Sequence, residues 1–179
     1  MTQTARLYGS SLYDLAVEEG LTEQIMTQSS QIRTLFAENP EYLSLLGEPS
    51  ISREERLKMI DDAFASSAEH YLVNFIKLLC ERGLLQEYAG CCDEFMRRYD
   101  SDNNIAQANV WTASKLSEEQ EKALKAKLEK MTGKSVHMHM HIDRSLIAGV
   151  RVEVEGKMLD GTVKSRIEGI SRKLSEISI

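Results

Sequence analysis

Residues 99–113 read YDSDNNIAQANVWTA, and the hydrophobic period changes in the middle of them. Upstream, Tyr88, Cys92, Phe95, Met96 and Tyr99 recur at helical spacing; downstream of the polar run Asp102-Asn103-Asn104, Ile105 to Ala113 alternates as a strand does. The switch divides the chain into residues 1–104, all helical in pattern, and residues 105–179, mixed in pattern. The fold class expected is α+β, a six-helix N-terminal bundle followed by a small C-terminal α/β domain.

Turn chemistry punctuates the first part. Tyr8, Leu12, Leu15 and Ala16 share one helix face before Gly20, and Asn39-Pro40 stops a second helix marked by Ile25, Ile32, Leu35 and Phe36. A short apolar turn follows, Tyr42 to Leu46. Ser52 with Glu55 forms a capping box ahead of Leu57, Ile60 and Phe64. Leu72, Phe75, Ile76, Leu78 and Leu79 cover more than one face before Gly83, so this helix carries more apolar surface than one contact requires. By the residues alone, that surplus is either core or a groove for a partner helix.

In the second part Ser117 and Gln120 form another capping box before Leu124, Leu128 and Met131, and Gly133 is placed to end the helix. Val136, Met138, Met140 and Ile142 alternate with His137, His139 and His141, the pattern of a half-buried strand. Val150, Val152 and Val154 make a third strand, and a segment around Met158 follows. Val163, Ile167, Ile170, Leu174 and Ile177 form the apolar stripe of a closing amphipathic helix. Between strands, Asp143 can bond nearby amides and Gly149 permits a bulge or close backbone approach.

Composition narrows the function. The chain has 179 residues, 42% hydrophobic and 28% charged, and its longest stretch without Asp, Glu, Lys or Arg, Asn103–Ser114, is far below the roughly 20 apolar residues of a membrane span. Met1–Leu7 lacks an apolar leader core, so no secretory signal is expected. Residues 1–104 hold 9 Lys/Arg against 18 Asp/Glu and residues 105–179 hold 13 against 10. An acidic first part repels phosphate, so no nucleic-acid partner is expected.

No chemistry-bearing constellation emerges. The adjacent Cys91 and Cys92 make a poor disulfide set, and Asp93 and Glu94 beside them would raise a thiol pKa, so the cysteines read as reduced packing residues. Of the three alternating histidines at most two could reach one zinc, and no third ligand sits at a recognisable spacing. Glycines are scattered singly, without a phosphate-cradling loop or a nucleophile elbow. No catalytic residue, metal or cofactor is expected. A metal- or ligand-sensing regulatory module built on the His-bearing strand is the competing reading.

The stretch Ile142-Asp143-Arg144-Ser145-Leu146-Ile147-Ala148-Gly149-Val150, followed by Asp160-Gly161-Thr162, resembles the delta-subunit family of bacterial F-type ATP synthases, counterpart of the mitochondrial oligomycin-sensitivity-conferring protein. Ala5-Arg6 with Tyr8, Leu12 and Ala16, Asn74-Phe75 with Leu78-Leu79, and Val110-x-Thr112-Ala113 before Leu116-Ser117 are similar too. Gly9 and Ser11 stand where small alanines are usual, Leu84 where Arg is frequent, and Thr162 where Ser is usual. The resemblance implies a non-catalytic stator connector that resists rotary torque during proton-driven ATP synthesis, peripheral on the cytoplasmic face of a bacterial membrane and monomeric when isolated. It implies that residues 1–104 hold the N-terminal helix of an alpha subunit between the first and fifth helices, with Tyr8, Ser11, Leu12 and Leu15 on one wall and Asn74, Phe75, Leu78 and Leu79 on the other. It implies that residues 105–179 hold the b subunits of the peripheral stalk, and that Asp143, Ser145, Gly149, Asp160, Gly161 and Thr162 are structural motif residues.

Overall fold

Thr2 opens the first helix by accepting a hydrogen bond from the Ala5 amide at 3.0 Å, satisfying a donor that a helix start leaves unpaired. The computed structural model describes residues 1–146 and 149–161. The motif residues Ile147, Ala148 and Thr162 and the closing helix expected over 163–177 lie outside the described residues. The fold is mixed α+β, with seven α-helices and one four-stranded sheet among the described residues, and the chain divides into two compact units, Met1–Tyr99 and Asp100–Ile179.

The first unit contains α1 (Gln3–Glu18), α2 (Thr22–Glu38), α3 (Pro40–Leu46), α4 (Arg53–Phe64), α5 (His70–Glu81), a 3-10 turn (Leu85–Glu87) and most of α6 (Tyr88–Asp102). Gly20 and Gly83, at φ +68° and +67°, take the left-handed turns that end α1 and α5 and that side chains resist. Pro40 occupies the first turn of α3, where its missing N–H costs no bond. The capping box read at Ser52 and Glu55 is formed in full. The short apolar segment Tyr42 to Leu46 is thus the body of a helix of its own.

One core joins these helices. Phe36 lies between Phe64 and Tyr88, with ring centroids 5.9 and 5.1 Å away in edge-to-face geometry, and Tyr13 meets Phe95 edge-on at 5.2 Å. Such aromatic pairs contribute about 0.5–1.5 kcal/mol beyond their area. The buried Tyr88 hydroxyl donates to the Ser29 carbonyl at 3.3 Å, which removes the penalty of leaving it unpaired.

Where α1 crosses α6 the two backbones touch. A Cβ at Gly9 would stand 2.5 Å from the Cys91 carbonyl oxygen and 2.8 Å from Glu94 Cβ; one at Gly90 would stand 2.8 Å from Ala5 Cβ. Beside this contact the buried Glu94 carboxylate accepts from Ser10 Oγ at 3.2 Å and from Arg97 at 2.6 and 2.8 Å, bonds that hold its pKa below the usual carboxylate range against the opposing effect of burial.

The second unit contains β1 (Ile105–Thr112), α7 (Glu118–Thr132), β2 (Ser135–Ile142), β3 (Val150–Val154) and β4 (Lys157–Asp160), in the sheet order β2-β1-β3-β4. β1 and β2 are parallel, so α7 is the crossover between them, and β3 pairs antiparallel with both β1 and β4. α7 starts on the Ser117–Gln120 capping box and ends at Gly133, φ +70°. Glu155 and Gly156, both at positive φ, make the two-residue turn that suits a twisted hairpin. The core is Ala106, Ala108, Val110, Leu128, Val136, Val152 and Val154.

The strand β2 departs from its pattern. Val136 is buried and Met138 half-buried, yet Met140 and Ile142 are exposed. The apolar contribution of α7 comes from Leu124 and Leu128; its first residues, Glu118-Glu119-Gln120-Glu121-Lys122, offer the far half of β2 no apolar partner.

Replacing Gly9 by valine forces α1 off α6 and is expected to cost at least about 2 kcal/mol of stability, read as a lowered urea midpoint. A midpoint equal to that of the parent chain would contradict the contact.

Candidate functional site

Two rows of side chains run along α1. Ala5, Gly9, Leu12, Tyr13 and Ala16 are buried, whereas Leu7, Ser11 and Leu15, spaced i, i+4, i+8, stand on the neighbouring flank with Tyr8. The same division occurs on α5: Leu72, Val73, Ile76, Leu79 and Cys80 are in the core, and Tyr71, Asn74 and Leu78 face outward beside the nearly buried Phe75. The outward rows of the two helices enclose an open trough of roughly 440 Å³, lined by Leu7, Tyr8, Ser11, Leu12, Leu15, Tyr71, Asn74, Phe75 and Leu78.

Leu12 and Phe75, at 3% and 8% exposure, form its floor, and Leu7 and Leu78, at 65% and 38%, its lips. An exposed leucine on each lip over an apolar floor is a surface that burial would stabilise, by about 25 cal/mol per Å² of apolar area covered. Ser11 Oγ donates to the Leu7 carbonyl at 3.0 Å, so its hydroxyl is satisfied within its own helix. A groove with two helical walls and apolar anchors at i, i+3, i+4 and i+7 is shaped for an amphipathic helix.

Seven of the eight residues assigned to these walls from the sequence, Tyr8, Ser11, Leu12, Leu15, Asn74, Phe75 and Leu78, line the trough; Leu79 does not. Its side chain is fully buried, because successive residues on a helix point about 100° apart and only one of Leu78 and Leu79 can face the opening. Leu7 and Tyr71 were not read from the sequence, although each continues a row already visible, Leu7-Ser11-Leu15 and Tyr71-Asn74-Phe75-Leu78. A second depression, of roughly 590 Å³, lies over α2, α3 and α4 and is lined by residues including Leu35, Phe36, Tyr42, Leu45 and Phe64.

The remaining candidate groups are engaged structurally. Cys80, Cys91 and Cys92 are buried free thiols. Burial pushes Cys91 up to about 11 and Cys92 up to about 12; of the two carboxylates expected to do this, Asp93 has a smaller effect on Cys92 and Glu94 is not among the causes, while Glu87 raises Cys91 and Arg33 acts in the opposite direction on Cys92. His139 Nε2 lies 2.9 Å from Gln107 Oε1, His141 Nε2 lies 3.3 Å from Asn109 Oδ1, and the His141 ring stacks on Trp111 at 5.4 Å. No three of His, Cys, Asp and Glu converge as metal ligands among the described residues, and the sensor reading has no support in this arrangement.

Asp143 ties its loop together. Its carboxylate accepts from the Ser145 amide at 3.0 Å and hydroxyl at 2.5 Å, and from Arg151 Nη2 at 3.2 Å, which lowers its pKa, chiefly through the two Ser145 bonds. Arg151 also covers the Trp111 ring at 5.1 Å and pairs across the sheet with Asp160. Gly149 has φ +101°, and the Gly161 amide donates to the Val150 carbonyl at 3.0 Å.

The described residues thus form an all-helical unit with an open apolar trough, followed by a unit in which Asp143 ties a loop to the sheet. The family described as ATP synthase delta (OSCP) subunit matches residues 4–174, and the chain belongs to that family. It is 30% identical over 171 residues to the ATP synthase subunit delta of Geobacillus sp. (strain WCH70), covering 95% of this chain and 96% of that one. It is 32% identical over 171 residues to the protein of the same name from Desulfitobacterium hafniense (strain DSM 10664 / DCB-2), covering 96% of each. A chain of the Toxoplasma gondii mitochondrial ATP synthase hexamer shares the fold at TM-score 0.69 and 19% identity, over 97% of this chain and 98% of that one.

With the thiols buried and their pKa values raised, the native chain at about pH 8 is expected to resist Ellman's reagent, while the chain in guanidinium reacts at all three cysteines. Rapid reaction of Cys91 or Cys92 in the native chain would contradict their placement.

Proposed function

We propose that this chain is the non-catalytic stator connector of an F-type ATP synthase, joining the catalytic head to the peripheral stalk. In this reading α1 to α6 act as one six-helix bundle, residues 1–104, and the trough between α1 and α5 receives the N-terminal helix of an alpha subunit. Residues 105–179 hold the b subunits, and the motif residues Asp143, Ser145, Gly149, Asp160, Gly161 and Thr162 keep that domain rigid under load. The protein is peripheral, on the cytoplasmic face of the membrane; no helix among the described residues is long and apolar enough to cross one.

The observation that carries the reading is the open apolar trough beside Leu78, which a free-standing helical domain would gain by closing. The opposite charge balance of the two parts supports it as well, because a connector needs two unlike surfaces. A torque-bearing joint must outlast many turnovers, and nanomolar affinity corresponds to about −12 kcal/mol. An interface of roughly 1,600 Å² reaches that value when its central anchors are well packed.

Leu78→Asp places a carboxylate on the trough's lip and is expected to weaken binding of the alpha-subunit N-terminal peptide by about 2–4 kcal/mol in calorimetry. Its circular dichroism and its binding to a soluble b-subunit fragment should be unchanged. A folded Leu78→Asp chain that binds the peptide as the parent does would remove the trough from the alpha-subunit site.

A further inference from the structure

The trough has chemically different ends. α5 starts where α1 finishes: Tyr71, in the first turn of α5, lines the trough and shares a hydrogen bond with Glu19, the residue that caps α1. That bond, then burial, then the negative charges of Glu19, Glu18 and Glu69 hold the Tyr71 phenol pKa above its ordinary value, so all three carboxylates act at this end of the trough. No basic residue lies in the last turn of α1. Among the described residues Glu18 and Glu19 make no ion pair, and Glu69 meets only His70, 3.9 Å away, besides a neutral hydrogen bond from Gln24. Toward the other end, Leu78 is followed one turn later by the exposed Arg82, which caps α5 and is in no salt bridge among the described residues, whereas Lys77 is neutralised by Asp61; Arg6 acts instead on Glu94, at the contact of α1 with α6.

Apolar anchors set how deeply a helix seats but discriminate poorly between its two directions, since a stripe at i, i+3, i+4 and i+7 reads similarly from either end. Charges at the rim supply the difference, as flanking charges do when they choose the orientation of paired helices. Resting on the docking assigned above, we infer that the partner helix lies in one orientation, its lysine- or arginine-bearing end over Glu18, Glu19 and Glu69 and its other end beside Leu7 and Leu78. The reverse orientation would set the cationic end against Arg82 and leave Glu18, Glu19 and Glu69 without a cation from the partner at a covered rim. The occupant selected is a basic amphipathic helix, in keeping with the excess of acidic residues in this part of the chain, 18 against 9 over residues 1–104.

The test uses the full chain and the alpha-subunit N-terminal peptide of the same synthase, with a nitroxide placed at one end of the peptide or the other. A label at the more basic end should broaden the amide signals of Glu18, Glu19 and Tyr71, and a label at the opposite end those of Leu7 and Leu78. The triple variant Glu18→Gln, Glu19→Gln, Glu69→Gln should keep its thermal midpoint, bind the peptide about tenfold more weakly at low salt, and lose most of that difference at high salt, because each rim pair contributes little and is screened. Reversed broadening, or unchanged affinity and salt dependence in the triple variant while Leu78→Asp still abolishes binding, would overturn the orientation and leave the docking site standing. Tight binding of a peptide with no cationic end would overturn it as well. A parent chain that fails to bind the peptide at all would overturn both.

Discussion

Two glycines let α1 lie against α6 with backbone touching backbone, and the rest of the helical unit follows from that contact. Gly9 meets the Cys91 carbonyl and Gly90 meets Ala5 at distances that leave no room for another atom. Drawn onto α6, α1 commits its Ala5-Gly9-Leu12-Tyr13-Ala16 row to the core, and the flank carrying Leu7, Ser11 and Leu15 is left facing outward. The trough is therefore set by the crossing as much as by its own lining. The Ser10–Glu94–Arg97 bonds pin the same crossing against sliding, with a charge whose partners must stay in place because a buried carboxylate without them is costly.

The second unit achieves rigidity by other means. A parallel β1–α7–β2 crossover and an antiparallel β3–β4 hairpin share the central strand pair, and Asp143 anchors the loop after β2 to Ser145 and to Arg151 on β3. The chain's three thiols are buried with raised pKa values, and His139 and His141 contact amide side chains of β1.

Much of this was legible in the chain. Both capping boxes are local, residue-pair signals, and they form as read at Ser52–Glu55 and Ser117–Gln120. Gly20 and Gly133 end helices as their positions required. The trough was legible as a surplus: α5 has more apolar faces than a core contact uses. Which residue of that surplus turns inward was not, because Leu78 and Leu79 are chemically identical and only the packing of α5 against the core decides between them. The burial of β2 was misread for a related reason. Alternation shows which side of a strand is apolar, but coverage depends on what packs above it, and Met140 and Ile142 are exposed where Val136 is buried. The cysteines were read in the right direction from the wrong cause, since burial, a tertiary property, outweighs the neighbouring carboxylates.

The account rests on a single surface, the channel between α1 and α5, being the place where the catalytic head takes hold. The most direct measurement is amide-resolved NMR of the isotope-labelled chain titrated with the alpha-subunit N-terminal peptide. The account predicts that the largest shift changes fall within Leu7–Leu15 and Tyr71–Leu78, with Thr22–Phe64 and the β-strands little affected. Changes centred instead on Leu35, Tyr42 and Phe64, around the depression over α2, α3 and α4, would contradict it.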